Sequence, residues 1–83
     1  MIALIATLCL AAPPPHVLQH QQALKAHGAH RYHQAIALWL EADRAQPTWK
    51  YGLNLAKAYC SLTEFERCWH WCQVAADRGL DRA

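Results

Sequence analysis

The feature that most constrains this chain is its agreement with itself at a separation of 33 residues. That shift aligns Ala23 with Ala56, Ala26 with Tyr59, Tyr32 with Phe65, Ala35 with Cys68, Trp39 with Cys72 and Ala42 with Ala75. Small meets small and bulky meets bulky, apart from Ala26 with Tyr59 and Trp39 with Cys72. A shift of 34 also aligns Ala42-Asp43-Arg44 with Ala76-Asp77-Arg78. The period is that of a helical hairpin, a unit that cannot bury its apolar face alone and therefore stacks on a copy of itself. Small residues at the matched positions let helices approach closely, and an aromatic side chain fills the gap where the next helix crosses.

Local signals agree with helices throughout the repeated part. No strand alternation and no hairpin dipeptide occurs after His16, and Pro47, Gly28, Gly52 and Gly79 are its only breakers. Pro15 suits the first turn of a helix running to about His27, and Gly28-Ala29-His30 makes a turn. A second helix from about Arg31 carries Tyr32, Ala35, Ile36, Trp39 and Ala42 on one face, and Pro47 stops it. Thr48 is placed to cap a third helix reaching about Ser61. Thr63 with Glu66 has the spacing of a capping box for a fourth, which ends at Gly79. Two- and three-residue turns force neighbouring helices to be antiparallel. The expected fold is all-α: two antiparallel hairpins, at about 16–46 and 48–79, stacked as a short α-solenoid. Its expected core is Ala23, Tyr32, Ala35, Trp39, Ala42, Leu55, Ala56, Tyr59, Phe65, Cys68, Cys72 and Ala75.

The stretch Leu55-Ala56-x-x-Tyr59, then Phe65, Cys68-x-x-x-Cys72 and Ala75, resembles a tetratricopeptide repeat (TPR), and Tyr32, Ala35, Trp39, Ala42 and Pro47 match the second half of another. The resemblance covers about 65 residues of the 83. Gly52 stands where the pattern has Trp, and Gln22-Ala23 where it has Leu-Gly. The tail Cys68-x-x-Trp71-x-x-x-Ala75-Ala76-Asp77-Arg78-Gly79 is also similar to the Sel1-like variant. The resemblance implies a protein–protein interaction module without catalysis or cofactor, binding a peptide or partner protein on the concave face. Carried over position by position, it places Val17, His20, Leu24 and His27 on that face in the first copy. In the second copy it places Lys50, Leu53, Asn54, Lys57 and Cys60 there. Lys50 and Lys57, two turns apart with Asn54 between them, have the chemistry to hold a peptide carboxylate. The last helix offers Trp69, Trp71 and Val74, which leaves two expectations for that face: a following repeat in a longer array, or another chain, including a second copy.

The start of the chain has a different character. Ile2 to Ala12 is apolar except for Thr7 and stops at Pro13-Pro14-Pro15. Eleven residues do not span a bilayer but fit the apolar core of a secretory signal, cut near Ala11 or Ala12. No Lys or Arg precedes the run, and a short buried helix is the competing interpretation. The resulting organisation is a signal peptide at 1–12 and a helical domain at 13–83, exported to the bacterial periplasm or secreted.

Two residue types suggest chemistry. Five of the six histidines lie between positions 16 and 33, and His16 with His20 form an i, i+4 pair of the kind that chelates transition metals. This makes a small exported His-rich metal-binding protein the alternative function. Against it, the first acid is Glu41, so no carboxylate lies near to orient these rings; solvated positions on a polar helix are the plainer interpretation. Among the cysteines, a Cys60–Cys68 bridge would staple the second hairpin, whereas Cys68 and Cys72 also suit a buried seam as small apolar residues. A zinc site from Cys60, Cys68, Cys72 and His70 is opposed by the direction of His70 around its helix. Ser61 is the only serine and no phosphate loop occurs, so no enzyme is expected. The formal charge of +2, spread over scattered Lys and Arg, does not suggest nucleic acid as a partner.

Overall fold

The computed structural model describes residues 13–80. The proposed signal segment 1–12, with Cys9, lies outside the described residues. Four helices follow one another: α1 (Pro15–Gly28), α2 (Tyr32–Ala45), α3 (Trp49–Ser61) and α4 (Phe65–Asp77). No strand occurs among the described residues, and no helix there is long and apolar enough to cross a membrane. Each helix packs mainly on its neighbours in the chain, α1 on α2, α2 on α3 and α3 on α4. With three-residue connections, neighbours that pack in this way run antiparallel.

The 33-residue agreement extends to the backbone. After α1, the His30 amide donates to the His27 carbonyl at 3.0 Å and the Arg31 amide to the Ala26 carbonyl at 2.8 Å. After α3, Thr63 donates to Cys60 at 2.9 Å and Glu64 to Tyr59 at 3.0 Å. Both are Schellman closures, which need a residue in the left-handed region at the position after the cap. His30 (φ 63°) and Thr63 (φ 59°) occupy it. The turn after α1 therefore bends at His30, with Gly28 still helical. The expected capping box also fails for this reason. Thr63 is spent on closing α3, the N-cap of α4 is Glu64, and no side chain caps it. Thr48 does cap α3, accepting from the Lys50 amide at 3.4 Å, and Pro15 opens α1.

The core runs along the helix seams: Ala23 and Ala26 of α1, Ala35, Ile36, Trp39 and Ala42 of α2, Tyr51, Leu55, Ala56, Ala58 and Tyr59 of α3, and Cys68 and Ala75 of α4. Small residues sit where helices meet. A β-carbon on Gly52 would lie 3.5 Å from Ala75, an ordinary contact, so α3 and α4 approach as closely as an Ala–Ala crossing allows. Three expected core residues depart. Phe65 is 66% exposed, and Tyr32 and Cys72 are only part-buried. Phe65 is exposed because α2, the counterpart of α4, is covered by α1 on one side and α3 on the other, while α4 packs mainly on α3.

Candidate functional site

The first helix of each hairpin meets the other at the histidines. His16, His20, Ala23 and His27 recur every three or four residues, so they form one face of α1. That face turns inward, correcting the expectation of solvated histidines. Trp39 of α2 is fully buried, and its indole N–H needs an acceptor; it donates to His20 Nδ1 at 2.9 Å. His16 Nδ1 lies 2.9 Å from the Tyr51 hydroxyl of α3, and the His20 ring centroid is 5.1 Å from that of Tyr51. His27 packs on Tyr32 and Trp39 at ring distances of 5.2 and 5.7 Å, and its buried Nε2 has no hydrogen-bond partner among the described residues. His30 and His33 are exposed.

These contacts decide what the pair His16 and His20 can do. An indole N–H only donates, so His20 Nδ1 must be unprotonated, and the neutral ring then carries its proton on Nε2. Chelation through Nε2 would require breaking the bond to Trp39. Among the described residues no group of three potential ligands converges. Burial first, and the charge of Lys50 second, hold the His20 imidazole below its ordinary value of 6.5. Burial and then the Asp43 carboxylate push the Tyr51 hydroxyl above 10.

The remaining sequence-predicted residues fall as follows. Lys50 and Lys57 are exposed on α3, with Leu53 and Asn54 half-buried between them. Neither lysine joins an ion pair among the described residues; Lys50 Nζ lies 5.9 Å from the Trp49 ring centre. On α1, Leu24 is 48% exposed and Val17 half-buried. The helices thus bring Lys50 close enough to His20 to influence its charge, while Leu24 and Lys57 stand on the outer surface of the same two helices. Cys60 is bridged to Cys68 with Cα atoms 5.2 Å apart, and Cys72 is unbridged. The two interpretations of Cys68 are compatible, since it is both buried in the seam and bridged. With two thiols consumed, the Cys60, Cys68, Cys72 and His70 zinc site has no basis.

One long-range contact escaped sequence reasoning. Asp43, buried in α2, receives both terminal nitrogens of Arg78 at 2.5 and 3.3 Å, and Arg78 also donates to the Thr48 carbonyl at 3.3 Å. Ala42-Asp43-Arg44 and Ala76-Asp77-Arg78 were visible as repeated triplets, but a pair 35 residues apart joins one member of each. Comparison of the chain with family models, curated proteins and solved structures returns no match.

Proposed function

We propose that this chain is an exported protein–protein interaction module of the tetratricopeptide kind, two hairpins stacked as a short α-solenoid. It binds a peptide carboxylate along the concave face lined by α1 and α3. The observation that carries this reading is the identical backbone closure of the two hairpins at a separation of 33 residues. Packing of His16 and His20 on Tyr51 supports it further, because it sets the two first helices side by side. Leu24, Leu53 and Asn54 then offer contacts to a peptide main chain, and Lys50 and Lys57 offer charge-assisted hydrogen bonds. The acceptor nitrogen of His20 is engaged by Trp39, so its role is to seat the groove rather than to contact ligand. Export is supported by the Cys60–Cys68 bridge, since disulfides persist in oxidising compartments.

A display library of peptides with free C-terminal carboxylates tests the groove. Sequences it selects should bind the Lys50→Glu, Lys57→Glu double variant at least about tenfold more weakly, with unchanged helicity. Equal affinity would remove this surface. Intact mass of the product expressed from its native start should correspond to cleavage near Ala11 or Ala12; an uncleaved cytoplasmic product would refute export.

A further inference from the structure

The two hairpins differ in one respect that has a consequence for assembly. Among the described helices α3 packs mainly on both α2 and α4 and α1 mainly on α2, and comparing counterparts at 33 residues reveals which α3 residues the extra packing covers. Leu55 and Ala58 are buried, whereas their counterparts Gln22 and Lys25 are exposed; Tyr51 is buried against His16 and His20 of α1, and its counterpart Leu18 is exposed. The same comparison for the second helices is reciprocal. Ile36 is buried and Tyr32 and Leu40 part-buried in α2, while Trp69, Phe65 and Gln73 in α4 are exposed. Phe65, Trp69 and Gln73 are four apart and form one strip. Among the described residues there is therefore one complete α2-to-α3 contact and the two exposed halves of a second, one on α4 and one on α1.

We propose that a second copy of this chain mates these halves: the α4 strip of one copy docks on the α1 edge of the next, head to tail. Beside the α1 strip lies an open cavity of about 540 Å³, lined by Ala26, Ala29 and Leu38 together with the polar Gln22, Lys25, Arg31 and Gln34. It offers apolar surface to Phe65 and Trp69. Charge sets the register. In the internal contact α2 and α3 are antiparallel, so Ala58, near the end of α3, lies by the start of α2. By equivalence Lys25 of one copy lies by the start of α4 of the other, where Glu66 flanks the strip. Neither Lys25 nor Glu66 forms an ion pair among the described residues. Such an interface is heterologous and grows into an open chain of copies unless its rotation closes a ring. The inference does not rest on peptide binding by the groove.

Sedimentation equilibrium of the purified full chain, with its disulfide intact, tests the proposal. The weight-average mass should rise with concentration past that of a dimer, and Trp69→Asp should leave a monomer. Lys25→Glu and Glu66→Lys, both at exposed positions, should each weaken association about tenfold or more with unchanged helicity, and an equimolar mixture of the two should restore it. A wild type that stays monomeric at millimolar concentration overturns the proposal. So does association that stops at a dimer and ignores Lys25→Glu, the signature of α4 pairing with itself, or association that none of these variants alters.

Discussion

His20 shows how one side chain can tie packing to pH. Its Nδ1 satisfies the only polar group of the buried Trp39 ring, and it can do so only while unprotonated. Burial and Lys50 hold its folded-state value below 6.5, so between the folded and unfolded values the unfolded chain binds more protons. The contribution of His20 to stability is thus fully present above about pH 6.5 and is lost as pH falls from there through the lower folded value. Thermal melts between pH 7.5 and 5 should show this decline, and His20→Asn, whose amide oxygen retains an acceptor for Trp39, should flatten it. A profile identical in both proteins would remove His20 as the cause. Nothing in the sequence marked His20 as inward-facing. An i, i+4 histidine pair on a Gln-rich helix is locally indistinguishable from a solvated one, and only the position of Trp39 decides.

Among the elements, α4 buries only two side chains, Cys68 and Ala75, as α1 buries only Ala23 and Ala26. The Cys60–Cys68 bridge offsets this by closing a short loop between the end of α3 and the start of α4. For a loop of that size the chain-entropy model assigns about 2–3 kcal/mol. Urea titrations with and without reductant should differ by that amount, the difference should vanish in Cys60→Ser, and it should persist in Cys72→Ala. A midpoint unmoved by reductant would mean that the bridge contributes nothing to folding. The spacing of Cys60 and Cys68 across a turn made this bridge legible beforehand. Thr63 was not legible in the same way, because the Thr63–Glu66 spacing satisfies the capping pattern equally well when Thr63 closes the preceding helix.

Among the described residues the hairpins are joined by the α2–α3 seam, by the packing of His16 and His20 on Tyr51, and by an ionic tether. Arg78, just beyond α4, reaches back to Asp43 of α2 and to the Thr48 carbonyl between the hairpins, with its guanidinium 6.0 Å from the Trp71 ring centre. Asp43 is nearly buried, so removing its partner leaves a desolvated carboxylate. Arg78→Ala should therefore destabilise the protein by about 1–3 kcal/mol, the cost of leaving the Asp43 carboxylate without its partner in a part-buried pair. In a double-mutant cycle Asp43→Asn, Arg78→Ala should be much less damaging than the sum of the single changes. Strict additivity would show that the tether is not coupled.

By itself the sequence determined the class of fold, the four helices of the described residues and their boundaries to within a few residues, and the small-residue seams around Ala23, Ala35, Ala42, Ala56 and Ala75. These depend on short-range matters: hydrogen bonds that close within five residues, side chains that recur every three or four, and residues small enough for helices to meet. Tertiary structure alone decided that His16, His20 and His27 face Trp39 and Tyr51, that Phe65 and Trp69 stand exposed where Tyr32 and Ile36 do not, and that Asp43 pairs with Arg78. Those outcomes depend on how many neighbours a helix has and on groups distant in the chain. The two hairpins close alike in backbone but differ in surroundings: α2 packs on both α1 and α3, while α4 packs mainly on α3 among the described helices.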